Sequence, residues 1–152
     1  MPHAAAPSSP AASAAPLAVA LVGNPNTGKS TLFTALAGIP TRIGNYPGVT
    51  VEEKVGRFRH RDHTIELIDL PGAYSLVPKS PDEEVAVSVL HGQMKGVAKP
   101  DVVVVVADAT NLVRNLYLAS QVIEVGLPTI IALTLTDLAD RKGLTIDVER
   151  LA

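Results

Sequence analysis

The sequence contains no cysteine. That excludes disulfides, a cysteine-ligated iron–sulfur cluster and any thiolate metal site within this stretch, and it is compatible with a reducing compartment. Aromatic residues are scarce, 3% against 47% hydrophobic residues overall, so the core must be aliphatic. A dominant charge is also lacking. A formal net charge of -2 over 152 residues gives no electrostatic footprint for nucleic acid. Nor is there a long apolar run. The longest lies around Asp101–Ala109, with Val102 to Val106 at its heart, far short of the roughly 20 residues that cross a bilayer. The length suits one domain.

Residues 1–16 are Ala, Pro and Ser with a single His after the initial Met. Such a stretch buries too little apolar surface to offset its ordering entropy, and a disordered tail is expected. A signal peptide is the competing reading. It would need a basic start and an apolar stretch ahead of the small residues, and neither is present.

What is present is Gly23-Asn24-Pro25-Asn26-Thr27-Gly28-Lys29-Ser30. It fits the phosphate-loop pattern G-x-x-x-x-G-K-[ST] in full. An apolar run, Leu17 to Val22, leads in, and Lys29 to Ala37 reads as a helix leading out. Gly23 and Gly28 let the backbone wrap so that successive N–H groups point at phosphate oxygens, and the helix N-terminus adds a positive dipole end. Lys29 supplies a full charge for the terminal phosphates and Ser30 a hydroxyl for magnesium.

The remainder alternates strand and helix. Strands are expected at Leu17–Val22, Val51–His60, His63–Asp69, Asp101–Ala107 and Thr129–Thr134, and helices at Lys29–Ala37, Asp82–His91, Arg114–Val125 and near Asp137–Lys142. The first, fourth and fifth strands are near-continuous apolar runs, as parallel strands covered on both faces are. The second is more polar and suits an edge. His60-Arg61-Asp62-His63 reads as a tight turn between the second and third strands. The pattern is a doubly wound, mostly parallel α/β sheet with helices on both faces, and its crevice should lie at the carboxyl ends of the strands.

Three further elements fall at those ends. Asp69-Leu70-Pro71-Gly72 ends an apolar strand. Its carboxylate can hold magnesium through a water, and the Gly72 amide can approach a γ-phosphate. The plain alternative is a strand-ending Asp with a Pro-Gly turn. Thr50 follows Gly44-Asn45-Tyr46-Pro47-Gly48-Val49, read as a mobile connection. It is either a magnesium ligand in a nucleotide-sensing switch or an ordinary β-favouring Thr. Asp137 can accept from guanine N1–H and the 2-amino group, which adenine lacks, or it can simply cap the next helix.

Taken together, Gly-Asn-Pro-Asn-x-Gly-Lys-Ser, Asn-Tyr-Pro-Gly-Val-Thr-Val-Glu and Asp-Leu-Pro-Gly-Ala-Tyr-Ser-Leu resemble the GTPase domain of ferrous iron transport protein B, a P-loop GTPase. Asp108 to Leu118 and Ile146 to Glu149 are similar to that family too. The resemblance covers Leu17 to Ala152. It implies nucleotide contacts from Gly23, Asn24, Asn26, Thr27, Gly28, Lys29, Ser30 and Thr31, from Gly48, Val49 and Thr50, from Asp69 and Gly72, and from Thr134 and Asp137. Lys29, Thr50 and Gly72 would carry catalysis. Ser30 and Thr50 would ligate magnesium, with Asp69 behind a water, and Asn26 matches the Asn that binds potassium in potassium-activated relatives. Asn26 as a plain turn residue is the alternative. Arg42 is the in-chain arginine-finger candidate, but it stands well upstream of Thr50.

Departures from the pattern matter as well. Ala73 stands where Ras-type enzymes use Gln to orient the attacking water, so slow turnover is expected. Thr134 stands where the guanine motif has Asn, and a Thr hydroxyl is too short to bond guanine N7 and also tie the base loop to the phosphate loop. The resemblance further implies a last strand, a last helix, a helical regulatory domain and a membrane domain after Ala152. The expected role is thus a cytoplasmic GTP/GDP-binding module with slow magnesium-dependent GTP hydrolysis. It would sit at the inner face of the cell membrane through a transport domain supplied in cis or in trans. The alternatives are a nucleotide-binding remnant without turnover and a GTPase of ribosome or tRNA maturation. No nucleic-acid partner is expected. His60 and His63 read as a charged turn with Asp62, His91 as a helix-end residue, Asp108, Thr110 and Asn111 as helix caps, and Asp82-Glu83-Glu84 as a solvated first turn.

Overall fold

The computed structural model describes residues 14–152; most of the expected tail therefore lies outside the described residues. Six strands form one sheet in the order β2-β3-β4-β1-β5-β6. They are β1 (Leu17–Gly23), β2 (Arg42–Asn45), β3 (Glu52–His60), β4 (His63–Asp69), β5 (Val102–Asp108) and β6 (Thr129–Thr134). Strands β4, β1, β5 and β6 run parallel, whereas β2 and β3 join antiparallel. The helices are α1 (Lys29–Ala37), α2 (Pro81–Leu90), α3 (Leu112–Glu124), α4 (Thr136–Arg141) and α5 (Val148–Leu151).

The central strands show why this sequence needs helices on both faces. In β1, Ala20 and Val22 enter one core with Val103 and Val105 of β5 and with α2 and α3 residues such as Val89 and Leu118. The intervening Val19 and Leu21 enter a second core around Phe33 of α1 and Leu67 of β4. Alternation with period two sends successive side chains to opposite faces. A continuous apolar run is then the only sequence that satisfies both. Phe33 is 1% exposed, and its burial contributes about 1.5–3 kcal/mol. A Cβ on Gly56 of β3 would fall 2.5 Å from the Ala37 Cβ and 3.0 Å from Phe33, so that glycine lets α1 lie close against β3.

Two expectations change. Strand β2 is absent from the sequence reading, and β3 is therefore not the edge; β2 is. Arg42–Asn45 contains Gly and Asn and is exposed throughout. It carries no hydrophobic alternation and becomes a strand only by pairing with β3. Part of what reads as a mobile connection is thus sheet. Glu83 is likewise not solvated. It is 8% exposed, and its carboxylate accepts a hydrogen bond from the Lys79 amide at 2.7 Å while Ser80 Oγ caps the Glu83 amide. The hairpin turn is as expected, with His60 opposite His63.

Candidate functional site

The phosphate-loop residues leave β1 and curl into α1 with two left-handed positions, Asn26 at φ 62 and Gly28 at φ 84. Asn tolerates that region better than most residues, and Gly adopts it freely. Thr27 is 2% exposed, and its hydroxyl donates to the Asn24 carbonyl at 3.0 Å, locking the curl from inside. Gly28 is the N-cap of α1 and offers no side-chain cap, and the first turn carries no acid. The leading amides of α1 thus have no side-chain acceptor, which is the condition for binding an anion there. A cavity of about 490 Å³ opens above them, walled by residues 24–31 with Gly72 and Asp82.

Asp69 is buried at the end of β4 and reaches Lys29, with Oδ1 2.6 Å from Nζ. Charge-assisted contacts of this length are among the stronger hydrogen bonds in proteins. Gly72 follows on a loop pressed against the phosphate loop. A Cβ there would meet Pro25 atoms at 3.0–3.2 Å, and the Ala73 amide donates to the Gly23 carbonyl at 3.0 Å. Ala73 itself is fully buried. Tyr74 lies beneath the Arg114 guanidinium at 4.2 Å, and Gln121 accepts from the Leu76 amide at 2.8 Å, so α3 pins this loop.

The residues expected on the base side sit at the end of β6. Thr134 Oγ1 donates to the Thr27 carbonyl at 2.6 Å, with the Ala107 carbonyl farther off at 3.3 Å. The hydroxyl therefore does tie β6 to the phosphate loop, and its single proton is committed to that tie. None remains for the acceptor N7 of guanine. Asp137 is exposed in the first turn of α4, whose N-cap is Leu135. Asp137 is thus not the cap, and its carboxylate has no partner among the described residues.

Not every expected residue is at the cavity. Gly48, Val49 and Thr50 are exposed and outside its walls. Arg42 pairs with Glu53 at 2.7 Å on β2 and β3 and is not among the residues that wall the cavity. Asp108 caps its own turn through the Thr110 amide at 2.7 Å, whereas Asn111 precedes α3 without a side-chain cap. Three features escape sequence reasoning. Asp82 forms part of the cavity wall, and Asn24 Oδ1 and the Tyr46 hydroxyl are buried without a hydrogen-bond partner among the described residues. Asn24 lies within the phosphate-loop motif, but no local pattern marks its burial or that of Tyr46, or places Asp82 at the cavity.

Magnesium fits the residues present. Ser30 at the cavity and the Asp69 carboxylate beside Lys29 are hard oxygen donors of the kind it prefers. Among the described residues no cluster of His, Cys, Asp and Glu suits another metal, and no helix is long and apolar enough to cross a membrane.

A mostly parallel α/β sheet with a glycine-rich loop feeding a helix at the strand ends defines a nucleotide-binding domain of the P-loop class. The family model for ferrous iron transport protein B matches residues 17–152. The chain is 48% identical over 134 residues to the Fe(2+) transport protein A/Fe(2+) transporter FeoB fusion protein of Porphyromonas gingivalis, covering 88% of this chain and 15% of that protein. It resembles the cytosolic domain of the T. maritima FeoB iron transporter in a GDP form, with 43% identity, a TM-score of 0.81 and coverage of 90% of this chain and 51% of the other. Against the GMPPNP form of that domain the figures are 43%, 0.81, 89% and 52%. The chain belongs to the ferrous iron transport protein B family, as the motifs imply, and it spans a small part of the length of its curated relatives.

Proposed function

We propose that this chain binds GTP and GDP and hydrolyses GTP slowly, as the nucleotide-sensing module of a ferrous iron transport system. A membrane domain, in cis or in trans, would place it at the cytoplasmic face of the membrane. The observation that carries this reading is the complete phosphate loop with Lys29 held 2.6 Å from Asp69. Amides at the start of α1 would take the β-phosphate and Lys29 the β- and γ-oxygens. The Gly72 amide would bond the γ-phosphate, and Asp137 would select guanine. Ser30, Asp69 and a relocated Thr50 would hold magnesium, which supplies charge neutralisation on the phosphates when bound. Water attacks the γ-phosphorus in line, releasing GDP as leaving group and yielding phosphate. Ala73 lacks any group to orient that water, so turnover is slow. Asn26, exposed at the cavity, is the candidate ligand for an activating potassium ion.

A second reading is nucleotide binding without turnover. It is favoured by the buried methyl of Ala73 and by the committed proton of Thr134. Phosphate release from GTP decides between them. We expect slow release that stops on magnesium chelation and runs faster in potassium than in sodium. Binding with no release establishes the second reading, and equal rates in the two salts remove potassium from the scheme. Family membership leaves the ribosome-maturation alternative without support.

A further inference from the structure

Tyr46 is the odd residue of the segment that carries Thr50. Its neighbours Pro47, Gly48, Val49 and Thr50 are exposed, whereas Tyr46 is 1% exposed and is the largest fully buried side chain among the described residues. Its ring lies in the main core with Val51, Val55, Ile68 and Leu70. The backbone around it forms a closed turn. The Tyr46 amide donates to the Val51 carbonyl at 2.9 Å, and the Val49 amide donates to the Tyr46 carbonyl at 3.2 Å. Gly48, at φ 78, makes the corner. With this turn shut, Thr50 stays outside the cavity.

Among the described residues the Tyr46 hydroxyl has no hydrogen-bond partner. Burial pushes its ionisation far above the usual range, and the negative charges of Glu53 and Asp69 add to that, so it remains a proton donor. Both carboxylates are already engaged, Glu53 by Arg42 and Asp69 by Lys29. A buried unsatisfied donor works against the conformation that buries it.

Resting on the nucleotide reading above, we propose that Tyr46 is the positioning residue for Thr50. Its buried ring latches the 46–51 turn shut, and its partnerless hydroxyl keeps the latch weak enough for a bound triphosphate with magnesium to open. A diphosphate gives Thr50 no reason to move and leaves the latch closed.

The test uses the whole chain and its Tyr46→Phe variant, which keeps the ring and removes the unsatisfied donor. The variant should melt at a higher temperature without nucleotide. Calorimetry in magnesium should show an unchanged affinity for GDP and a roughly fivefold weaker affinity for a non-hydrolysable GTP analogue, the scale of one buried unsatisfied hydroxyl. Tyr46→Ala should shift the analogue-to-GDP ratio the other way and expose residues 46–51 to protease. An unchanged ratio in Tyr46→Phe, or equal changes for both nucleotides, overturns the latch even if the alanine variant does not fold. Wild-type chain that binds neither nucleotide sinks the nucleotide reading and the latch together. Wild-type binding with an unmoved Tyr46→Phe ratio sinks the latch alone.

Discussion

The phosphate side and the base side of the candidate site are built differently. On the phosphate side, Asn24, Thr27 and Ala73 are all no more than 4% exposed, and the two loops meet through a backbone hydrogen bond and the Gly72–Pro25 contact. That geometry is set by packing before any ligand arrives. On the base side, Leu135, Thr136, Asp137 and Leu138 are exposed, β6 is a sheet edge, and Leu135 holds a left-handed φ of 56 that bulky residues rarely adopt. One hydroxyl, that of Thr134, links the two halves. On the proposed function, affinity would come from the rigid half and selectivity from the loose one.

Lys29→Ala breaks the rigid half hardest. It should weaken GTP and GDP by about 100-fold, since charge-assisted bonds to phosphate are lost, as read by calorimetry in magnesium. Asp137→Ala attacks the loose half. It should reduce the preference for GTP over ATP by roughly tenfold or more, through two lost hydrogen bonds, while the melting temperature stays put because the side chain is exposed and unpaired. Gly72→Ala tests packing directly. Forcing a Cβ against Pro25 should lower stability by about 1–3 kcal/mol, measured by urea denaturation, with no matching loss from substitutions at Asp137. Thr134→Asn gives the smallest change and the sharpest comparison. An amide that serves both Thr27 and guanine N7 should tighten GTP by about 1–2 kcal/mol. Failure to tighten would mean that the Thr134 tie already supplies all that this position offers.

The rigid half is the one that sequence reveals. The motif Gly23 to Ser30 is contiguous, and strand–loop–helix order follows from the apolar run before it and the helix after it. Asp69 and Gly72 are legible because a strand end and a Pro-Gly turn mark them. Most of the rest depends on partners far along the chain. Arg42–Asn45 is a strand only against β3, Thr134 finds Thr27 across 107 positions, and Tyr46 is buried in a core cluster that its own sequence neighbours do not announce. Glu83 looks like one of three exposed acids and is fixed by the Lys79 amide. Local pattern identifies the contiguous motif and the strand ends, and it misses strand β2 and the burial of Tyr46, which depend on what packs beside them.

On the proposed reading, the contact between Lys29 and Asp69 means that the cation and anion sites begin as each other's counterion. A phosphate chain arriving alone would strand a carboxylate, and a divalent ion arriving alone would strand an ammonium. Only when both come does each charge find a new mate, so uptake of nucleotide and metal becomes a partner exchange that conserves neutrality. If the proposed roles hold, the protein would thereby discriminate against bare anions and bare cations before either shape or base identity is consulted.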